Sequence, residues 1–258
     1  MKITALLENT TERDDMLTEH GLSLFIEAAG MQLLFDMGQS DMFAKNAVAL
    51  GVDISAAQIA VLSHGHYDHG GGLETFLRLN SRAPVYIHRD AFAPHYNGCE
   101  KYIGLDAALK NEPRLIFTNG THCLGNGIWL YADADIKRMH ELPPSGLTER
   151  VGECFISDDF RHEQYLLIEE NSKRVLISGC SHRGIIDIAR HFMPDVIIGG
   201  FHFSKMPLGT ALQNAAKALA AMPAEFYTCH CTGDEQYTFM KKHMKNLHRL
   251  SCGQTVVL

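Results

Sequence analysis

The sequence predicts an α/β fold in one domain spanning residues 1–258, and three observations predict it. Near the C-terminus, three apolar strand-like runs alternate with three stretches of helical periodicity. Near the N-terminus, short apolar runs are separated by turn residues in the manner of hairpins. An apolar content of 46% in 258 residues supplies one sizeable core, and neither repeats nor low-complexity tracts divide the chain.

The elements follow in order. "KITALLE", "LSLFIEAAG" and "MQLLFDMG" read as strands, the last two paired in a hairpin around Gly30. "SDMFAKNAVALG" reads as a helix with Ser40 or Asp41 as N-cap and Gly51 at its stop. The strand "AQIAVLSH" runs into "SHGHYDHGGG", whose glycines are expected to let the backbone turn tightly into a helix with apolar positions Leu73, Phe76, Leu77 and Leu79. "APVYIHRD" is a further strand. From about 91 to 159 the periodicity weakens, and "PHYNGCEKYIG", "TNGTHCLGNG" and "HELPPSGLTER" suggest a variable insertion of hairpins and loops. Order returns with strands "RVLISGC", "DVIIGGFH" and "EFYTCHC" and helices in "RGIIDIARHF", "LGTALQNAAKALAAM" and "DEQYTFMKKHMKNL". Each of those strands ends in Cys or His, which gathers reactive groups at one sheet edge.

Bulk properties narrow the function. Seven scattered cysteines do not form the framework of a small secreted domain and fit a reducing compartment. No apolar run approaches the roughly 18 residues that span a bilayer, so a cytoplasmic protein without a membrane partner is expected. A formal charge of −7 without a basic block argues against a nucleic-acid partner. Of the 15 histidines, His20, His191, His243 and His248 read by default as ordinary surface or core residues.

The string Ser63 to Gly72 carries the chemistry. His64 and His66, two residues apart in an extended loop, can turn both imidazoles toward one metal ion, while Asp68 and His69 offer an oxygen and a nitrogen to a second. Imidazole and carboxylate donors suit zinc, with iron or manganese as alternatives. A merely solvated turn would not need four such groups.

This His-x-His-x-Asp-His pattern resembles the metal motif of the metallo-β-lactamase superfamily. "LLENTT", "EHGLSLFIE", "LFDMGQS", "SGCSHRGI", "GGFH" and "HCTGD" are similar to the branch that contains the dihydropterin (ribofuranosyl)aminobenzene phosphate synthase and several proteins described as metal-dependent hydrolases. The resemblance implies a four-layer αββα sandwich, two mixed β-sheets flanked by helices. It makes Asp36 the buried strand-end carboxylate that steadies the metal loop, and His182 and His230 the later ligands. One ion would then take His64, His66 and His182, and the other Asp68, His69 and His230. Where relatives carry a bridging Asp this chain has Cys180, which reads equally as a metal-binding thiolate or an inert buried thiol. The histidine expected before "LISGC" has only His162 to represent it, and a surface role is as good a reading there.

Two divalent ions imply hydrolysis by metal-bound hydroxide, with Asp68 as a candidate proton acceptor and His202, at a strand end on the same edge, lining the site as a second candidate catalytic group. Arg183 is a candidate clamp for a phosphate or carboxylate on a small-molecule substrate, and a solvated helix-start arginine otherwise. Glu19 and His20 match a stretch of the resembled branch and are expected to border the cleft. His95, Tyr96 and Tyr102 either shape the pocket or serve as core and surface residues. Three alternatives remain open: a pterin-precursor synthase as in the resembled branch, a di-iron redox protein, and a non-catalytic ligand sensor.

Overall fold

The structure, a computed structural model, describes all residues except 133 and 141–144; the last four belong to the expected turn "HELPPSGLTER" and lie outside the described residues. Two seven-stranded sheets form its centre. In the first, Thr255–Val257, Lys2–Leu7, Ser23–Ala28 and Met31–Phe35 run antiparallel, then Ile59–Val61, Val85–His88 and Leu115–Thr118 add in parallel. The second repeats that plan: Thr121–Gly125, Ile128–Tyr131, Tyr165–Glu170 and Lys173–Ile177 are antiparallel, and Val196–Gly199, Glu225–Thr228 and Leu247–Arg249 continue in parallel.

Both faces of each sheet are covered, which is why these strands read as continuous apolar runs. Leu33, Phe35, Ile59 and Val61 of one sheet meet Leu166, Ile168, Val175 and Ile177 of the other in a central core. The intervening residues face outward: Leu34, Ala60 and Leu62 pack against Phe43, Ala47, Leu73 and Phe76 of helices Met42–Ala49 and Leu73–Leu79. On the far side Tyr165, Leu167, Leu176 and Ile197 pack against Ile188, Phe192, Leu212 and Leu219 of helices Ile185–Phe192 and Thr210–Ala220. The result is the four-layer αββα sandwich.

Several local expectations are sharpened. The hairpin at Gly30 turns through two residues with positive φ, Ala29 at 53° and Gly30 at 75°, a geometry suited to strands of right-handed twist. At the first helix Asp41 makes no side-chain capping bond; Ser40 Oγ accepts from Met42 N–H at 3.2 Å. Gly71 and Gly72 are needed for space, since both have negative φ and a Cβ would lie 2.5 Å from Gln39 O and 2.2 Å from Met37 O. The stretch 91–159 is not one separate layer. Leu115–Thr118, Thr121–Gly125 and Ile128–Tyr131 extend the two large sheets, while His95–Asn97, Lys101–Tyr102, Leu147–Val151 and Cys154–Ser157 build a small sheet of their own.

All seven cysteines are free, and among the described residues no helix is long and apolar enough to cross a membrane.

Gly199 ends its strand at φ 146°, and a Cβ there would stand 1.9 Å from Ser178 O. Gly199→Ala should therefore lower stability by about 3 kcal/mol, measured as a shift of the chemical unfolding midpoint. An unchanged midpoint would contradict the close approach.

Candidate metal centre

The motif divides between two kinds of backbone. Ser63 to Gly65 form a loop after Ile59–Val61, His66 is extended, and Tyr67–Gly70 make one helical turn that presents Asp68 and His69 from a single side. Asp36, at the end of Met31–Phe35 with φ 59°, lies directly beneath. Its carboxylate accepts from Ser63 N–H at 2.7 Å, Ser63 Oγ–H at 2.8 Å and His69 Nδ1–H at 2.7 Å. Because the Ser63 hydroxyl proton goes to Asp36, its oxygen accepts from His64 Nδ1–H at 2.8 Å. His64 and His69 are thus set with Nδ1 bonded and Nε2 turned to the site.

Two ligand sets converge there. The rings of His64, His66 and His182 form a triangle with centroid separations of 4.5, 4.9 and 5.0 Å. His69 Nε2 lies 3.1 Å from His230 Nε2 and 3.2 Å from Cys180 Sγ, and Asp68 Oδ2 lies 3.4 Å from His230 Nε2 and 3.2 Å from His20 Nε2. The sets touch through His64 and His69, whose rings are 4.2 Å apart. Cys180 falls in the group His64, His69, Cys180, between the two. Its thiol is pushed up by burial and by Cys231, so it is a neutral thiol until a cation displaces the proton.

The donor set fits divalent metal. His64 Nε2, His66 Nε2, His95 Nε2 and both nitrogens of His182 are buried without a hydrogen-bond partner. Five such nitrogens would be costly in a finished core, and a cation that takes the lone pairs of His64 Nε2, His66 Nε2 and one nitrogen of His182 removes much of the penalty.

The later ligands rest on carboxylates that sequence reasoning missed. Glu163 accepts from the backbone N–H of His182 at 2.7 Å and of Arg183 at 3.1 Å, and Glu8 accepts from His230 N–H at 3.1 Å. Asn9 Oδ1 takes His230 Nδ1–H at 2.9 Å, leaving Nε2 for the site. Ser181, His202 and His230 all adopt positive φ, between 50° and 57°, backbone strain gathered at the strand ends that meet here.

Other sequence-based candidates fall in varied places. His162 is buried, not a surface residue: its Nδ1 accepts from Gly65 N–H at 2.9 Å and its Nε2 faces Asp158 Oδ2 at 3.4 Å, so it braces the motif loop. His202 has its ring 4.3 Å from His182. His20, read by default as ordinary, stands over Asp68 in a cavity of about 240 Å³ that also exposes His230 and Cys231. Glu19 differs from expectation: it accepts from Gln39 N, Ser40 N and Ser40 Oγ at 3.1, 3.0 and 2.7 Å, and so holds that loop in place of a substrate. Arg183 donates to Ala134 O at 2.8 Å and shares an open cavity with Arg138, Arg161, Asp135 and Asp159. Tyr96 and Tyr102 pack on each other in the small sheet, rings 5.3 Å apart.

Comparison with known proteins points to the same fold. The metallo-beta-lactamase superfamily profile matches residues 18–142, which contain the whole motif. The structure of Tm1679, described as a metal-dependent hydrolase of the beta-lactamase superfamily, superimposes with a TM-score of 0.85 at 29% identity over 100% of this chain and 99% of that one. Over residues 18–142 in sequence, and over its whole length in fold, this chain is similar to the metallo-β-lactamase superfamily. The metallo-β-lactamase fold accounts for the αββα layers, and that fold implies divalent metal binding. The metallo-beta-lactamase fold protein YhfI from Bacillus subtilis shares the fold at a TM-score of 0.61 and 14% identity, each chain 99% covered. In sequence the chain is similar to an uncharacterized protein of Methanocaldococcus jannaschii, 27% identical over 262 residues with 92% of each chain covered. It is also similar to the 7,8-dihydropterin-6-methyl-4-(beta-D-ribofuranosyl)-aminobenzene-5'-phosphate synthase of the same organism, 24% identical over 265 residues, covering 93% of this chain and 90% of that one.

The buried imidazoles make the metal-free protein acid-sensitive. Burial lowers His162, His202 and His230 to about 4 and puts His64, His66 and His182 well below 6.5. Burial acts the same way on His69, but the Asp36 and Asp68 carboxylates outweigh it and raise His69 to about 9. Imidazoles with depressed values stabilise the fold above about 6.5, and that contribution is lost as the unfolded chain takes up protons between 6.5 and 4. His69 has the opposite sign, and its contribution fades as pH rises through 9. The melting temperature of chelator-treated protein should fall steeply from pH 6.5 to 4 and more gently above pH 7; a flat acid limb would refute the burial argument. Asp36→Asn, which removes the acceptor for His69 and Ser63, should weaken zinc binding about 10- to 100-fold in competition with a chromogenic chelator.

Proposed function

We propose that this protein is a metal-dependent hydrolase in which a two-ion centre acts on a small anionic substrate. The observation that carries the reading is the meeting of the two ligand sets at His64 and His69, 4.2 Å between rings. Zinc suits the donors, with iron or manganese as alternatives. Divalent ions there would polarise a carbonyl or phosphoryl oxygen and acidify a water molecule.

The chain's own groups do the rest. His64, His66 and His182 hold one ion; Asp68, His69 and His230 hold the other, with Cys180 between them. Asp68 accepts the proton released by the attacking water, and the Nε2–H of His20 steadies its charge. His202 stays neutral near pH 7, since burial and then Lys205 lower it to about 4, so its ring N–H can donate a hydrogen bond to a leaving group. Arg183 and Arg138, neither paired with a side-chain carboxylate among the described residues, supply cationic donors for a phosphate or carboxylate. The acidic balance of the chain supports a small-molecule substrate over nucleic acid. The lack of a membrane-length helix among the described residues is consistent with work in solution in the cytoplasm.

The likeness to a pterin synthase supports a second reading, in which the same centre takes part in building a phosphorylated pterin precursor. Metal analysis with assays on phosphoesters, thioesters, lactams and pterin phosphates separates the two. Asp68→Ala should lower kcat for the hydrolysed substrate about 10²- to 10⁴-fold and reduce bound zinc by one equivalent. Full activity and metal content in that variant would sink the two-ion mechanism, and a redox-active iron centre without hydrolysis would favour a di-iron protein.

A further inference from the structure

Three of the candidate ligands share one device. The rings of His64, His69 and His230 are each turned by a hydrogen bond at Nδ1, to Ser63 Oγ, Asp36 and Asn9 Oδ1 respectively. His182 has no such bond. Both of its ring nitrogens are buried without a hydrogen-bond partner among the described residues, and Glu163 holds only its backbone N–H, at 2.7 Å. A histidine side chain turns about two single bonds, so a fixed backbone alone leaves the ring free to swing away from His64 and His66. Something else must set its plane.

The face of Phe160 does so. Its ring lies 4.4 Å from that of His182 at an interplanar angle of 7°, whereas the other rings around His182 are tilted or edge-on: His202 at 55°, His64 at 76° and His66 at 83°. Phe160 also meets His66 edge-on, with centroids 6.5 Å apart. Phe160 is itself held on several sides. Its φ is 56°, its N–H goes to Asp158 Oδ1 at 2.8 Å, and its ring packs with Ile103, Leu147 and Tyr67. Asp158 is fixed in turn, since its Oδ2 accepts from His95 Nδ1–H at 2.8 Å and faces His162 Nε2 at 3.4 Å. The Phe160 carbonyl accepts from Glu163 N–H at 3.1 Å, so one short loop grips His182 twice, at the backbone through Glu163 and at the ring through Phe160.

We infer that Phe160 is the positioning residue of His182, its ring face doing for that ligand what a hydrogen bond at Nδ1 does for His64, His69 and His230. A stacked imidazole keeps its plane while both nitrogens stay free, so the ring presents a lone pair toward His64 and His66 with no acceptor behind it. The small sheet thereby reaches the centre through one side chain, and the buried polar cluster of Asp158, His95 and His162 serves to anchor that side chain. The inference rests on the hydrolytic reading for the role of His182 as a ligand; the stack itself does not.

The test is a double-mutant cycle on zinc affinity, read by competition with a chromogenic chelator on variants that circular dichroism finds folded. Phenylalanine, leucine and tyrosine are all unbranched at Cβ, so the left-handed backbone at 160 suits the variants as well as wild type. Phe160→Leu removes the flat face and Phe160→Tyr keeps it. Phe160→Leu should weaken zinc binding about 10-fold, Phe160→Tyr should bind as wild type does, and Phe160→Leu added to His182→Ala should cost nothing beyond His182→Ala alone. Wild-type affinity in Phe160→Leu, an equal loss in both backgrounds, or the same loss in Phe160→Tyr would make Phe160 a packing residue and overturn the inference. Failure of wild type to bind zinc would instead overturn the hydrolytic reading. Nuclear magnetic resonance of metal-free protein then decides the stack without any Phe160 variant: the ring current of Phe160 should move the His182 Cε1–H resonance, assigned by its loss in His182→Ala, upfield. An unshifted resonance would overturn the inference on its own.

Discussion

The site depends first on the buried carboxylate of Asp36. Held in a left-handed conformation at a strand end, it takes two donors from Ser63 and one from His69. It thereby ties the third strand of the first sheet to the loop after the fourth and fixes the ring orientation of two ligands. A buried anion is tolerable only when its lone pairs are filled, and here the groups that fill them are the motif itself. Glu163 and Glu8 extend the same device to the second sheet, each accepting the backbone N–H of a histidine at a strand end. Burial raises both of these carboxyls against the pull of their hydrogen bonds. Three buried acids thus hold three ligand-bearing segments, and the imidazoles are left with bare nitrogens facing inward.

This division explains what the sequence could and could not reveal. The strands were legible because both faces of each large sheet are buried, so apolar runs such as "DVIIGG" carry the pattern with little interruption. The motif was legible because its four candidate ligands lie within six residues. Glu8 and Glu163 were not, since each acts on a residue distant in the chain, 222 positions away for Glu8, and a lone Glu before or after an apolar strand has no local signature. His162 read equally as a late ligand or a surface residue for the same reason: only the folded loop brings Gly65 N–H to its Nδ1. The glycines of "HGGG" were correctly singled out, but for the wrong physical property. They relieve crowding against Gln39 and Met37 and do not visit positive φ.

The stretch 91–159 was the least legible, and its composition explains why. Its strands are short and half-exposed, so the alternation that marks a covered strand is weak; Leu115–Thr118 has two exposed residues among its four. Part of it nevertheless completes both large sheets, and the remainder folds as a small sheet against Tyr67 through Ile103, Leu147 and Phe160. Phe160 then stacks on His182 with rings 4.4 Å apart and an interplanar angle of 7°. One wall of the candidate centre is therefore supplied by the residue that immediately follows this stretch, held there by the small sheet.

Polar and strained groups accumulate where these pieces meet, and the two facts have one cause. Asp36, Ser181, His202 and His230 are non-glycine residues at positive φ, each costing on the order of 1 kcal/mol or more. Such backbone persists only where surrounding contacts over-determine it, and here those contacts include hydrogen bonds accepted by the buried carboxylates Asp36 and Glu8 and the packing of imidazoles on one another. Without a cation, the same arrangement leaves partnerless nitrogens and pushes most of the imidazoles to the neutral side of their ordinary range. Neutral, oriented and unpartnered is the state in which histidine binds metal. The strain and the unfilled nitrogens are thus the structural expense of a preformed set of candidate ligands, and the sandwich core is large enough to carry it.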